Sequence, residues 1–380
     1  MFTTGFADDP LITKLWRHLD ACEFTEVLEL ISDIGPEPVT AAARARWREL
    51  MYIYCATMVV LVRYADAEQA CRLVLRSAEN DDDHAAKAKV LGYGIAAAFF
   101  LGNVEVAVSR LDEVLAAAEE MPAGPDQMST FVAAAIGAGM IGFTELSDQL
   151  VSHLVDALET EPAALLQPAL AQFLHSLLMT RRCQLAISLE QRRPSKSVEL
   201  YRSVVELHGR IGVEIHTGTP ADMGWPPKIL SLYLSHICFA KIAIGESAEV
   251  ADLARSAPVT GHISPFDTVA ATTEIMWGLC QLRLALAEGD LDSRNRFHWH
   301  GLARALTRLA QRTQTLVLQA ETTRVFLELA RRGDDTLLCA VIQERHEAAV
   351  DELDWTARLE HARFSGLRSQ TMRAIANGVS

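Results

Sequence analysis

Three short stretches decide the fold of this chain: Ile244-Gly245-Glu246, Glu288-Gly289-Asp290 and Arg332-Gly333-Asp334. Their glycines lie 44 residues apart, and each glycine closes an apolar run with the pattern of a helix. Glycine ends helices because it readily adopts the left-handed backbone conformation, and an acidic residue is favourable in the first turn of the next helix. A fixed period of this length, with one turn in each period, predicts stacked helical hairpins.

The composition agrees with a fold made only of helices. Half of the 380 residues are apolar, but only 7% are aromatic. A chain of this length exceeds one compact core, so we expect two domains or one long solenoid. Small side chains let helices approach closely, which suits an array of many short interfaces. We therefore predict an all-α fold, a right-handed α-solenoid of helical hairpins with a long C-terminal helix.

Charge, hydropathy and cysteine use limit the compartment and the classes of partner. The formal net charge of −14 argues against binding along a nucleic-acid backbone, which needs clustered Lys and Arg. Every apolar stretch is broken before about 18 residues, so we expect no membrane span. The start of the chain, MFTTGFADDP, lacks the features of a secretory signal, and the seven cysteines show no C-x-x-C spacing. We expect a cytoplasmic protein with buried, reduced cysteines and neither nucleic acid nor membrane as a partner.

The sequence divides into four predicted segments. Helical hairpins occupy 1–211, a loop follows over 212–226, the repeats with the 44-residue period occupy 227–353, and a charged helix occupies 354–380. The loop is predicted because HTGTPADMGWPP is dense in Gly and Pro. Gly102 does not lie on the 44-residue lattice, so we expect a shorter and less regular period in the first half.

The segment around Gly102 has the spacing of a known repeat. If Gly102 is the turn between two helices, the small residue Ala107 follows five positions later, Leu111 and Leu115 follow at helical spacing, and Pro122 closes the unit. This segment resembles a degenerate tetratricopeptide repeat (TPR), without the aromatic–glycine pair that the family carries in its first helix. The resemblance implies antiparallel helix pairs whose first helices line a concave surface that binds a protein or peptide partner.

The charged C-terminal helix carries a second resemblance. Together with the preceding repeats it is similar to the TPR-like sensory region of bacterial diguanylate cyclase signalling proteins, and the matching residues are Leu353, Trp355, Arg358, Leu359, Glu360, Ala362 and Arg363. The chain contains no Gly-Gly-Asp-Glu-Phe motif, so no cyclase activity is implied. A helix of this kind either caps the last repeat or pairs two chains into a homodimer.

Polar and aromatic residues that interrupt the apolar pattern of the first helices are the candidates for a ligand-facing wall. They are Tyr93, His175, Tyr233, His236, Glu274, Trp277, Glu321 and Arg324. Trp225 joins them, because an aromatic residue between Gly224 and Pro226 in a stiff loop is the kind of residue that anchors an interface. Each alone is also compatible with a structural role.

Two clusters invite a metal-site interpretation, and we favour a structural one for both. His298 and His300 flank Trp299 near two aspartates, but a third ligand at suitable spacing is missing. The three consecutive acids Asp81–Asp83 lack the spacing of a helical Mg²⁺ motif and suit the start of a helix instead. No nucleophile elbow, zinc-protease motif or phosphate loop occurs, so we expect no catalytic residues, metal or cofactor.

The sequence therefore favours a non-catalytic regulatory or sensory module. It would bind a peptide, a protein segment or a small ligand in its concave groove and transmit its state through the C-terminal helix. The alternatives are a homo-oligomeric scaffold without a small ligand and an all-α enzyme.

Overall fold

The structure, a computed structural model, describes residues 6, 8–122, 124–160, 168–211, 226–263, 266–289 and 296–364. Its helices are α1 (Pro10–Asp20), α2 (Phe24–Ile31), α3 (Ala41–Val60), α4 (Tyr64–Asp81), α5 (His84–Phe100), α6 (Val104–Glu120), α7 (Pro125–Met140), α8 (Thr144–Thr160), α9 (Pro168–Leu189), α10 (Pro194–Ile211), α11 (Pro227–Ala243), α12 (Ala251–Ser256), α13 (Thr268–Glu288), α14 (Arg296–Thr313), α15 (Leu316–Arg332) and α16 (Thr336–Phe364). A 3₁₀ turn, Ser247–Glu249, precedes α12. These described residues contain no strand, so the all-α prediction is confirmed.

The chain forms two compact units. Unit 1 comprises 1–178 and 360–380, and unit 2 comprises 179–359. The division falls inside α9 and inside α16, whereas the sequence placed a boundary at the loop over 212–226. Residues 212–225 of that loop lie outside the described part of the chain, and so do residues 365–380 of the predicted C-terminal helix.

Unit 1 is built from four helical hairpins in sequence order. α1 packs on α2, α3 on α4, α5 on α6, and α7 on α8. The first helices of successive hairpins also contact each other, since α3 packs on α5 and α5 packs on α7. Each of these hairpins therefore covers the next one, as a single hairpin cannot bury its own apolar face.

One type of turn closes all four hairpins of unit 1. A residue in the left-handed conformation stands at the turn every 40 residues: Cys22 (φ +58°), Val62 (φ +62°), Gly102 (φ +84°) and Gly142 (φ +89°). The next residue donates its N–H to the carbonyl five residues earlier in every case, for example Asn103 to Ala98 at 2.9 Å. This is the Schellman motif, which satisfies carbonyls left free at a helix end. The period of the first half is shorter than 44 residues, as predicted, but it is regular.

The residue five positions after each turn residue is fully buried. These residues are Val27, Ala67, Ala107 and Ser147, all with no accessible surface. The position lies one turn into the second helix of each hairpin, where that helix meets the first one. The small-residue position identified at Ala107 is therefore a recurring contact of the fold.

In unit 2 the 44-residue glycines follow the ends of α11, α13 and α15. Gly245 (φ +86°) and Gly289 (φ +72°) have the left-handed conformation that the sequence predicted. At the third turn Gly333 has φ −88°, and Asp334 takes the left-handed conformation instead, with φ +54°. A short acidic side chain tolerates this conformation better than most residues do, which allows the turn to shift by one position.

Glycine pairs inside α5 allow close helix packing. A Cβ atom at Gly92 would lie 2.4 Å from the Cβ atom of Ala133 on α7, and one at Gly94 would lie 2.6 Å from the Sγ atom of Cys71 on α4. Real side chains do not approach so closely, so both positions need glycine.

All seven cysteines are free, and six of them are buried, whereas Cys339 is half-buried. Burial raises the pKa of the Cys71 thiol to about 12, so it is a packing group rather than a nucleophile. None of the helices in the described ranges is both long and apolar enough to cross a membrane.

The last turn of α16 belongs to the core of unit 1. Phe364 has no accessible surface, and its ring centroid lies 5.6 Å from that of Phe143. Glu360 is 3% exposed and accepts a hydrogen bond from the backbone N–H of Leu146 at 2.5 Å. The end of this helix is thus tied to the start of α8 and is not a free terminal segment.

We expect Gly102→Val to lower the free energy of unfolding by about 1–2 kcal/mol, because a β-branched residue is disfavoured at the left-handed φ of Gly102. Nothing lies within 4 Å of a Cβ built at this position, so a steric clash would not contribute. Gly35→Val is the matched control, since Gly35 has the same open space without the left-handed φ. Equal losses for the two variants in urea denaturation would contradict the role given to the turn.

Candidate ligand-binding cavity

Unit 1 contains a cavity of about 140 Å³ where the first helices of three hairpins adjoin. Five charged residues line it: Arg48 and Glu49 on α3, Asp83 just before α5, Lys89 on α5, and Asp126 on α7. The period of 40 residues explains this assembly. Glu49 and Lys89 are 40 residues apart and occupy the same position in consecutive hairpins, so the packing of α3 on α5 brings them to one place.

All three side-chain nitrogens of Arg48 form hydrogen bonds within unit 1. Its Nη1 atom lies 2.6 Å from Oδ2 of Asp81 and 3.2 Å from Oγ of Ser77, and its Nη2 atom lies 2.8 Å from Oδ2 of Asp83. Asp83 also caps α5, since its Oδ1 atom accepts a hydrogen bond from the N–H of Ala86 at 3.0 Å. The helix-capping interpretation of the acidic run is therefore confirmed for Asp83.

Lys89 is the second cation of the cavity, and it also has a partner. Its Nζ atom lies 2.8 Å from Oδ1 of Asp126, and only 6% of the residue is exposed. Asp126 itself is half exposed. The ammonium group of Lys89 is thus held between the cavity and a carboxylate at its edge.

Glu49 differs from both cations. It is 7% exposed, and its Oε1 atom accepts a hydrogen bond from Nε1 of Trp16 at 3.1 Å. Within the described parts of the chain, no Lys, Arg or His nitrogen lies within 4.0 Å of its carboxylate. Burial raises the pKa of Glu49 above its ordinary value; the charge of Lys89 and the Trp16 hydrogen bond oppose this effect, and the charges of Asp126 and Asp83 add to it.

The charges around the cavity do not balance. Two cations, Arg48 and Lys89, face the three carboxylates of Glu49, Asp83 and Asp126. Both cations already form ion pairs with aspartates, so the buried carboxylate of Glu49 has no ion-pair partner of its own among the described residues. A buried charge without a partner is costly, and it is relieved by a proton or by a cation that enters the cavity.

One of the nine predicted ligand-wall residues lies beside this cavity. The ring of Tyr93 packs edge to face on that of Tyr52, which lines the cavity, at 5.6 Å between centroids. His175 is half-buried on α9. Trp225 lies outside the described residues.

Three of the predicted residues lie in the core of unit 2. Tyr233 and His236 have no accessible surface, and Trp277 is 5% exposed. The hydroxyl of Tyr233 and Nδ1 of His208 are hydrogen-bonded at 2.9 Å, and Nε1 of Trp277 donates to Oγ of Ser231 at 3.1 Å. These contacts give Tyr233 and Trp277 a packing role, because the first helices of unit 2 are buried on more than one face. The assignment of Tyr233 and Trp277 to a ligand wall stays a prediction without support from the structure.

Glu274 anchors a loop. Its Oε1 atom accepts hydrogen bonds from the backbone N–H of Thr260 at 2.6 Å, from the hydroxyl of Thr260 at 2.9 Å, and from the N–H of Gly261. Its carboxylate is therefore occupied by the chain itself.

The structure does bring Glu321 and Arg324 together, in an ion cluster of unit 2. Arg283 contacts Glu190 at 2.8 Å and Glu321 at 2.6 Å, and Arg324 contacts Glu321 at 2.7 Å. Burial acts to raise the pKa of Glu321, but the charges of Arg283 and Arg324 outweigh it and lower that pKa to about 2. Two cations balance two carboxylates here, and the adjoining cavity of about 30 Å³ holds little more than a water molecule. This cluster is a closed structural network.

The histidine pair has no metal-binding geometry among the described residues. His298 is exposed on α14 and its ring centroid lies 4.8 Å from that of Trp299. Elsewhere in the described ranges, no three His, Cys, Asp or Glu side chains are arranged to hold a metal ion. The two aspartates near the pair lie outside those ranges.

No model of a known protein family matches this chain, and no curated protein matches it.

Sequence reasoning missed the charged residues of the cavity, although a signal was present. Arg48 and Glu49 interrupt the apolar pattern of a first helix in the same way as Tyr93 does, within WRELMYIYCATMVV of α3. The same criterion applied to α3 selects both. The sequence does not reveal that Arg48 and Lys89 form ion pairs with aspartates, whereas Glu49 forms none among the described residues.

We expect Glu49→Gln to raise the free energy of unfolding near neutral pH by about 1–3 kcal/mol, because it removes a buried charge and keeps an oxygen for Trp16. The pKa of Glu49 is raised in the folded state, so its contribution to stability is present below the ordinary value of 4.5 and is lost as the pH rises through the folded-state pKa. The gain from Glu49→Gln should therefore shrink towards acidic pH.

Glu120→Gln is the control for this measurement, since Glu120 is exposed at the end of α6. Chemical denaturation of the unchanged protein, Glu49→Gln and Glu120→Gln over a pH series gives the free energies of unfolding to be compared. A loss of stability in Glu49→Gln at neutral pH would show that the carboxylate is already compensated.

Proposed function

We propose that this chain is a non-catalytic regulatory or sensory module, an α-solenoid of TPR-like hairpins that holds a cationic group in the cavity around Glu49. The observation that carries the proposal is the buried carboxylate of Glu49, which lines a cavity and has no ion-pair partner among the described residues. A positively charged group in the cavity would supply that counter-charge.

The repeated hairpins support the binding role. In helical-repeat proteins the first helices of successive hairpins form a continuous surface, and side chains at equivalent positions line it. The cavity lies where α3, α5 and α7 contribute such positions. A ligand held there would contact three hairpins at once, which is how a helical array converts binding into a change of its curvature.

The size and polarity of the cavity define the ligand group. A cavity of about 140 Å³ accommodates a group of about six heavy atoms. Its walls are charged, and the excess of one carboxylate favours an ammonium or guanidinium group over a neutral one. The side chain of Lys or Arg in a peptide or protein partner has this form, and so does a small amine.

We expect the protein to bind Nα-acetyl-lysine amide at least about tenfold more tightly than Nα-acetyl-norleucine amide, a difference of about 1.4 kcal/mol. The two probes have side chains of the same carbon length and differ in the ammonium group. Isothermal titration calorimetry on the full chain measures both affinities. In Glu49→Gln the preference for the lysine probe should be lost, whereas Glu120→Gln should keep it.

Equal affinity for the two probes in the unchanged protein would contradict the proposed ligand. A preference that survives in Glu49→Gln would contradict the proposed site.

A homodimeric scaffold is the second candidate, and one observation favours it. Leu337 and Val341 stand one helical turn apart on α16 and are 77% and 45% exposed. Exposed apolar side chains on one helix face are typical of interaction surfaces. The particle mass in solution distinguishes the two candidates. It is best measured on the full chain, because truncation before Glu360 removes side chains from the core of unit 1.

The contacts of Glu360 and Phe364 also support the proposed transmission through the C-terminal helix. Glu360 bonds the start of α8 and Phe364 packs on Phe143, so the end of α16 is coupled to the fourth hairpin of unit 1. A shift of that hairpin on ligand binding would move the end of the helix.

A further inference from the structure

Two aromatic side chains line the Glu49 cavity together with its charged residues. Phe6 is half-buried and packs against the core of unit 1, and its carbonyl accepts a hydrogen bond from the N–H of Asp9 at 2.9 Å. Tyr52 follows Glu49 at i + 3 spacing on α3, so both residues lie on one face of that helix. The cavity therefore combines aromatic walls with a buried carboxylate.

The ring of Tyr52 is fixed by its neighbours. Its centroid lies 5.8 Å from that of Trp16 and 5.6 Å from that of Tyr93. Trp16 also donates the hydrogen bond to Glu49, so one indole contacts both the Tyr52 ring and the carboxylate. A ligand would therefore meet a ring and a charge that are already in place, which lowers the cost of ordering them on binding.

Most carboxylate oxygens around the cavity already have donors. Both oxygens of Asp83 accept hydrogen bonds within unit 1, and Oδ1 of Asp126 lies 2.8 Å from Nζ of Lys89. Oε1 of Glu49 accepts the hydrogen bond from Trp16. A primary ammonium group brings three N–H donors and is strongly hydrated, so it loses water contacts that these oxygens cannot fully replace. A cation without N–H donors keeps the charge and avoids this loss.

We propose that the cavity around Glu49 binds a trimethylammonium group, with Phe6 and Tyr52 contacting its methyl groups and Glu49 supplying the counter-charge. This inference rests on the proposed function, because the same carboxylate attracts the cation. Aromatic rings attract quaternary ammonium groups through the negative potential of their faces, most strongly where water is excluded. The group and its first two methylenes comprise about six heavy atoms, the number that the cavity accommodates.

Methylation of the lysine probe changes its ammonium group at constant charge. We expect calorimetry on the full chain to give at least about tenfold tighter binding for Nα-acetyl-trimethyl-lysine amide than for Nα-acetyl-lysine amide. Equal or weaker binding of the trimethylated probe would overturn the inference. The proposed function would still stand if the lysine probe bound more tightly than the norleucine probe. Absence of binding by both lysine probes would contradict the inference and the proposed function together.

Choline distinguishes the two sources of a trimethylammonium group, a side chain of a peptide partner and a free small molecule. If choline binds at least as tightly as the trimethylated lysine probe, the ligand is a free small molecule. If choline binds at least about tenfold more weakly, the ligand is a trimethylated lysine side chain.

Phe6→Leu removes an aromatic ring from the cavity and keeps an apolar side chain. We expect this variant to lose most of the preference for the trimethylated probe, and Phe6→Tyr to restore it, because a ring is present again. The matched control is Phe297→Leu, since Phe297 on α14 is 86% exposed and belongs to unit 2. It should keep the full preference. A preference that survives in Phe6→Leu would contradict the role given to the ring of Phe6.

Tyr52→Phe removes the hydroxyl group of Tyr52 and keeps its ring. We expect this variant to retain the preference for the trimethylated probe, since the ring provides the attraction. Loss of the preference would assign the selectivity to the hydroxyl group and would overturn the proposed contact. Each variant is judged by the ratio of two affinities in one protein, so a change in its overall stability does not affect the comparison.

Discussion

The turn that closes each hairpin of unit 1 is the constraint on which the rest of that unit depends. A left-handed residue and a hydrogen bond to the carbonyl five residues earlier reverse the chain in the same way at Cys22, Val62, Gly102 and Gly142. Because these turns are evenly spaced, equivalent positions of the first helices recur at the same place in each hairpin. The burial of Ala107 follows from this register, and so does the presence of Glu49 and Lys89 in the lining of one cavity.

Buried charged side chains in the two units differ in whether the fold supplies an ion-pair partner for them. In the cluster of Arg283 and Glu321 every charge is paired, and such a network positions helices without offering a site. Glu49 is the opposite case, a buried carboxylate without an ion-pair partner among the described residues. Removing one partner from a buried pair is expensive, whereas supplying a missing partner is favourable. This asymmetry makes the cavity around Glu49 the candidate for a ligand.

The sequence predicted an all-α fold and the positions of the turn glycines, because apolar periodicity and glycine at the turns are local signals. It identified the 44-residue period but not the regular 40-residue period, since Cys22 and Val62 stand where later hairpins have glycine. A left-handed conformation at such residues is imposed by the packing of the two helices and has no local signature. The recurring buried residue five positions after the turn was visible in the sequence at Ala107 alone.

The ligand wall was harder to predict, for a physical reason. The sequence predicts a surface location for polar residues that interrupt an apolar helix. The first helices of unit 2 are buried on more than one face, however, so Tyr233 and Trp277 form hydrogen bonds with other side chains. Whether a buried polar group is satisfied depends on residues far away in the sequence. Lys89 forms an ion pair with Asp126 and not with Glu49, and the sequence of α3 does not predict this pairing.

The most direct test of the central claim is an NMR titration of the Trp16 indole N–H, which donates to Glu49 and so reports its protonation. Trp16→Phe assigns the signal. The free protein should titrate above the ordinary glutamate pKa, and saturating Nα-acetyl-lysine amide should move the midpoint to lower pH, because a bound cation favours the ionised carboxylate. A midpoint that does not change when the probe is added would contradict the proposal that Glu49 receives the ligand.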